Sequence, residues 1–344
     1  MAAGFGANRL KHLPKVLLHD HLDGGLRAET IIEIADQIGY TKLPTQNSSE
    51  LADWFQAACD SGSLERYLET FDHTIAVMQR QEDIVRVAKE TVIDLHNDGV
   101  IYAEVRVAPE HFTKKGLTME DVTEAMLEGY RQGETITGLK VNTILCGMRQ
   151  WDKSQKVAEI VVKYREHGVV GFDIAGPEKG FPPTLQKETF DYLKRHEVPF
   201  TIHAGEGDGI ESINLAVNSC GAKRIGHGVR IAEDLPNGDL AKEILDMQIH
   251  LEICPTSNLQ TGIADTYAHH PIKKLFDLGF NVGLNTDNRL MSRTSMSHEF
   301  SECAKAFGWG IPEFKELTLN ALNNAFLAEK SHYFKVIGAG YDQL

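Results

Sequence analysis

Cysteine is scarce in this chain of 344 residues, and its five positions, Cys59, Cys146, Cys220, Cys254 and Cys303, lie far apart. No two stand at C-x-x-C spacing, so neither a cysteine zinc site nor a disulfide framework is indicated. Long apolar runs are missing too: none reaches the roughly 18 residues that a membrane helix needs. Residues 1–15 hold no apolar stretch of the signal-peptide kind, and the expected compartment is the cytoplasm. Positive charge is in deficit, with Lys+Arg 35 against Asp+Glu 49 and a net charge of -14. Nucleic acid and anionic membranes call for a basic face, so neither is an expected partner. A small neutral or cationic substrate suits the balance better. No short-period internal repeat is present. No Gly-rich phosphate loop follows the first strand, and nothing specifies a protein partner.

What the chain does have is a strand-then-helix rhythm in a composition that is 42% hydrophobic, enough to bury a sizeable core. Short apolar, β-branched runs predict strands at 16–18, 101–107, 140–146, 169–174, 199–202, 224–225, 250–253 and 280–284. Periodicity predicts helices near 29–38, 64–78, 81–98, 119–132, 153–167, 185–195, 210–217, 240–247, 271–278, 297–307 and 312–328. Residues 41–62 read as a long polar stretch. Eight strands alternating with helices imply a parallel sheet, and eight is the number that closes a barrel. The expected fold class is therefore α/β, a (β/α)8 TIM barrel. About 80 residues separate the first strand from the second, far more than one crossover helix requires. That insertion, at about 29–98, is expected to form a helical cap on one domain spanning 1–344. An open doubly wound sheet is the alternative, and the missing phosphate loop counts against it.

In such a barrel the catalytic groups come from the C-terminal ends of several strands. The first strand delivers His19 and His21, the sixth His227 and the eighth Asp287. The fifth delivers His203 and then, across Gly205, Glu206. Residues two apart in an extended chain point to the same side, so His19 and His21 can grip one ion while Asp20 is directed away. Three imidazoles and a carboxylate, with a position left for water, describe a catalytic divalent site. Zinc is the first choice, and iron or cobalt fit the same ligands. Taken singly, these residues have plainer readings: a His at a strand end, a Gly-His-Gly turn, an Asp that caps a helix. Their convergence at strand ends of one barrel separates the metal reading from these. The other histidines, among them His12, His73, His96, His111, His167, His196, His250, His269 and His270, are assigned to surface or packing. The His269–His270 pair precedes Pro271 at a helix start and is not taken as a ligand pair.

Several segments carry a family likeness. They are Leu13-Pro-Lys-Val-Leu-Leu-His19-Asp-His21-Leu-Asp23-Gly24, Ser63-Leu-Glu-Arg-Tyr-Leu-Glu-Thr-Phe71, Asp173-Ile-Ala-Gly176-Pro-Glu178 and His203-Ala-Gly-Glu206, followed by Arg224-Ile-Gly-His227-Gly228, Glu252-Ile-Cys-Pro-Thr-Ser-Asn258 and Asn285-Thr-Asp287. In this order, over nearly the whole chain, they resemble the adenosine deaminases of the metal-dependent amidohydrolase superfamily. The resemblance implies one zinc ion on His19, His21, His203 and Asp287. It makes Glu206 the proton donor to N1 of the purine. His227, with Asp287, helps deprotonate and orient the attacking water. His21 and Asp23 lie on the substrate side, Asp23 contacts a ribose hydroxyl, and the Gly176 amide contacts the purine ring. Two-metal relatives add a carboxylated lysine that the fourth strand here does not offer, which favours a single ion. One position departs from the pattern: the family commonly has a second aspartate after Asp287, and this chain has Asn288. Purine N7 is an acceptor, and an Asn amide donates to it without the raised pKa that an Asp would need.

The implied reaction is hydrolytic deamination of adenosine, and of 2′-deoxyadenosine, to the inosine product and ammonia. Adenine deaminase is the rival within the enzymes. Its relatives tend to carry Glu where Asp23 stands, so Asp23 favours the nucleoside. A catalytically inactive nucleoside-binding barrel is the rival from another class, and the intact Glu206 and metal ligands speak against it. The cytidine-deaminase fold would need a Pro-Cys-x-x-Cys pair that the chain lacks.

Overall fold

The computed structural model describes residues 7–342. Its strands are β1 Lys15–His21, β2 Val100–Val107, β3 Lys140–Met148, β4 Val169–Ala175, β5 Ile202–Ala204, β6 Arg224–His227, β7 His250–Ile253 and β8 Val282–Leu284. Nearly every strand residue is buried, as parallel strands covered on both faces require. Hydrogen bonds order them as two four-stranded parallel sheets, β1–β2–β3–β4 and β5–β6–β7–β8. Parallel bridges join the sheets at both seams, Asp20 with Asp287 and Phe172 with Phe200. At the first seam the Asp287 amide donates to the His19 carbonyl at 3.0 Å, and the His21 amide to the Asp287 carbonyl at 2.7 Å. The arrangement fits the expected α/β barrel.

Local chemistry sets the helices. The helix Met119–Thr137 starts in a capping box of Thr118 and Asp121 and stops at Gly138 in the left-handed region. It buries Val122, Met126 and Tyr130, spaced four apart. It lies close against Gln81–Asn97: a Cβ on Gly129 would come within 2.4 Å of the Val85 carbonyl. Between β1 and β2 run the helices Ala28–Ile38, Ser48–Cys59, Leu64–Glu69, Phe71–Val77 and Gln81–Asn97. The core cluster of buried apolar side chains extends from Leu10 to Tyr341. Among the described residues no helix is long and apolar enough to cross a membrane.

Several element boundaries differ from the sequence reading. The stretch read as polar contains the helix Ser48–Cys59, capped by the Asn47 side chain and burying Leu51, Phe55 and Cys59 on one face. The polar residues between them hid that four-residue spacing. The helix expected at 64–78 breaks at Thr70, whose hydroxyl bonds the Tyr67 carbonyl at 2.7 Å. Helix 210–217 passes into a π-helical segment at Leu215–Ser219. β5 begins at Ile202 rather than at residue 199, because Phe200 makes only an isolated bridge to β4. The helices Pro255–Gln260 and Ser331–Asp342 had no strong periodic signal and were not expected.

Candidate active site

The strand ends bring the expected residues together. The tightest group of possible metal donors is His19, His203, His227 and Asp287, with atoms all within 4.8 Å of one another. His21 stands beside them, its Nε2 3.4 Å from Asp287 Oδ1, the same distance as from His19 Nε2 to that oxygen. Asp20 points away, accepting from Thr286 Oγ1 at 2.8 Å and from Arg289 Nε at 2.9 Å. Asn285 ties β1 to β8, its Oδ1 accepting from the Leu18 and His19 amides at 2.9 and 3.0 Å. His227 and Asp287 have positive φ, 60° and 59°. Such left-handed backbone is costly for residues other than glycine and is a mark of functional sites. Ser257 Oγ donates to Asp287 Oδ2 at 2.7 Å, leaving Oδ1 turned to the histidines.

Carboxylates stand behind two of the rings. His19 Nδ1 lies 2.9 Å from Glu252 Oε2, and His203 Nδ1 lies 2.7 Å from Asp173 Oδ2. This is the arrangement that fixes the tautomer of a metal-ligating histidine. Arg106, fully buried, ties both carboxylates together at 2.7 Å each. Arg224 adds contacts to Glu252 and Glu104. Burial works to raise the Asp173 and Glu252 carboxyls, but the charges around them, Arg106 prominent among these, hold both below the usual carboxylate range. Burial holds His227 well below the usual imidazole range, so its ring is neutral. Burial works to raise Asp287 as well, yet the neighbouring rings of His19, His21 and His227 keep it below the usual carboxylate range. The buried nitrogen and oxygen donors fit a divalent ion such as zinc, and His19 Nε2 makes no hydrogen bond among the described residues.

Glu206 sits at the rim of this group, with Oε2 3.5 Å from His227 Nε2. The turn that carries it needs Gly205: φ is 73°, and a Cβ there would meet Ile213 at 2.4 Å. Glu178 clamps the turn. Its carboxylate accepts from the amides of Gly205, Glu206, Gly207 and Asp208 at 2.6, 3.0, 2.7 and 3.0 Å. Burial, then the charges of Asp287 and Glu178, push the Glu206 carboxyl well above its usual range.

A cavity of about 280 Å³ opens over these groups and is lined by His21, Asp23, Gly176, His203, Glu206, His227, Asp287 and Asn288. All the sequence-derived site residues except His19 therefore face one space, and His19 lies beneath it with no exposed surface. Burial pushes the Asp23 carboxyl up to about 7, and its Oδ1 has no partner among the described residues. Gly176 has φ 99°, and a Cβ there would meet Gln150 Oε1 at 2.6 Å. Asn288 packs against Gly24, where a Cβ would come within 1.8 Å of Oδ1, and that Oδ1 has no partner among the described residues. The Asn288 NH2 is a donor on the cavity wall. The apolar wall comes from the β1–β2 insertion: Leu64, Tyr67, Leu68, Phe71 and Ile75. Sequence reasoning missed His111 and Trp151 in the cavity lining, where their rings meet edge to face. It also gave no role to Glu178, although the Gly-Pro-Glu motif was a signal for it.

The α/β fold is shared with solved deaminase and amidohydrolase structures. The family model described as adenosine deaminase matches residues 14–334, and the chain belongs to that family. Adenosine deaminase 1 of Streptomyces coelicolor is 51% identical over 93% of this chain and 84% of its own length. The adenosine deaminase of Mycobacteroides abscessus is 47% identical over 95% and 94%. Among solved structures, adenine deaminase from Arthrobacter aurescens superposes with a TM-score of 0.86 at 23% identity, covering 96% of this chain and 98% of that one. A zinc-bound amidohydrolase from Burkholderia ambifaria also reaches 0.86, at 25% identity over 98% and 94%.

Proposed function

We propose that this chain hydrolyses the exocyclic amine of adenosine, and of 2′-deoxyadenosine, giving the inosine product and ammonia. The proposal includes one zinc ion per chain, held by His19, His21, His203 and Asp287, and a cytoplasmic setting in which the buried thiols stay free. The observation that carries the reading is the pairing across one cavity of a buried His/Asp group with a carboxyl pushed up by burial, Glu206. When bound, the ion supplies Lewis-acid activation of water at neutral pH. Glu206, protonated, donates to N1 of the purine, which makes C6 electrophilic. His227 and Asp287 orient the attacking water. Asp23 accepts from a ribose hydroxyl, the Gly176 amide holds the purine edge, and Asn288 donates to N7. Leu64, Phe71 and Ile75 cover the cavity and exclude bulk water.

Adenosine and adenine offered side by side test this reading. Adenosine should be consumed and adenine should not. Asp23→Ala should reduce kcat/KM for adenosine by about 10- to 150-fold, the worth of one hydrogen bond to a charged group, with no comparable effect on any residual adenine turnover. Equal damage to both substrates would place Asp23 in support of His21 rather than in sugar recognition. For the metal, elemental analysis should find about one divalent ion per chain, and His21→Ala should lose it, because an open site depends on each of its few ligands. Full occupancy in that variant would remove His21 from the ligand set.

A further inference from the structure

A hydrogen-bonded pair stands behind His227. The His270 ring is buried, and its Nδ1 lies 3.1 Å from the amide nitrogen of Ile272. A backbone N–H can only donate, so this Nδ1 accepts, and the proton of the neutral ring sits on Nε2. That Nε2 is 3.2 Å from Asn258 Oδ1. The contact fixes the Asn258 amide: with its oxygen turned to His270, its NH2 faces His227 Nδ1 at 3.1 Å. Asn258 has no exposed surface, so no solvent competes for either end. The same logic passes one step further. His227 Nδ1 must accept, and the ring proton must sit on Nε2, the nitrogen turned toward Glu206.

His19 and His203 are set the opposite way. Their Nδ1 atoms face the carboxylates of Glu252 and Asp173, which can only accept. Each therefore carries its proton on Nδ1 and keeps a lone pair on Nε2 for an ion. Three neighbouring imidazoles thus divide into two lone-pair donors and one N–H donor according to what lies behind them.

We infer that the Ile272 amide, His270 and Asn258 form a positioning relay that holds His227 as an Nε2–H hydrogen-bond donor, unable to ligate the ion or to take a proton at Nε2. This rests on the deaminase reading of the site and narrows it. His227 donates a hydrogen bond to the attacking water, and removal of the water's proton falls to another group. His270, which the sequence assigned to packing, thereby acts on the reaction through Asn258, without touching substrate.

Nitrogen NMR of the zinc-loaded enzyme, labelled at histidine with 15N, tests the relay. The His227 signals are assigned by their loss in His227→Gln. In the wild type, Nδ1 should show the unprotonated shift and Nε2 the protonated one. Asn258→Asp puts an acceptor where the amide NH2 stood, so the proton should move to Nδ1 of His227. That variant should also lose about 10- to 100-fold in kcat with KM nearly unchanged, the usual effect of altering a partner behind an active-site histidine. His270→Ala frees the Asn258 amide to rotate and should give mixed tautomer signals with a smaller loss. A wild-type His227 protonated on Nδ1 overturns the inference, as does an Asn258→Asp variant with an unchanged tautomer. Turnover of adenosine by the wild type tests the deaminase reading separately, since the tautomer is read without substrate.

Discussion

Glu206→Gln is expected to lose at least about 100-fold in adenosine turnover, the usual worth of a positioned proton donor. Metal content and nucleoside binding should be kept. The substitution preserves shape and removes only the transferable proton. Glu178 holds the backbone of the turn by accepting hydrogen bonds from four backbone amides, so the side chain at 206 stays in place. The carboxyl is pushed up by burial and then by the charges of Asp287 and Glu178. The protonated form is the working one, so wild-type activity should persist below that raised value and fall as pH rises through it. The Gln variant has no such group, and its residual activity should lack this basic limb. Unchanged turnover, or a basic limb surviving in the variant, would show that another group supplies the proton.

Arg106→Met should be the most damaging single change to stability. The guanidinium lies fully buried between Asp173 and Glu252, 2.7 Å from each, and also donates to the Leu18 carbonyl at 2.6 Å. Its removal leaves carboxylates facing each other in the barrel without their shared counter-charge. Breaking a buried ion pair in this way costs roughly 3–5 kcal/mol, read as a lower midpoint in denaturant unfolding at constant slope. Both carboxylates also stand behind the His19 and His203 rings, so divalent-ion affinity should drop by about 10- to 100-fold. A loss of less than about 0.5 kcal/mol, within the range of ordinary surface changes, would mean that Arg224 alone balances Glu252.

Much of the site was legible because its residues announce themselves by spacing. His19 and His21 fall on one side of an extended strand, and Glu206 follows His203 across a glycine. The separation of Asp20 from this face followed from the same two-residue period. The likeness to a family added the proposed sugar and purine contacts at Asp23, Gly176 and Asn288, which the structure places in the cavity lining. The fold class was readable for a related reason: alternating strands and helices leave few chain paths besides a parallel sheet. Boundaries were less secure where a cap or a bridge settles them, as at Asn47 and at Phe200.

The sequence by itself determined which chemical groups this protein brings to its strand ends and in what order, because strand periodicity and turn glycines act over a few residues. Only the tertiary structure decided what stands behind those groups. Glu252 and Asp173 face His19 and His203, while an amide faces His227. The partners are 233, 30 and 31 residues away along the chain, and no local pattern encodes such a pairing. Whether a buried imidazole offers a lone pair or a proton depends on whether its far nitrogen meets an acceptor or a donor. That choice is made only when the barrel closes and water is excluded, where an unmatched polar contact costs too much to persist.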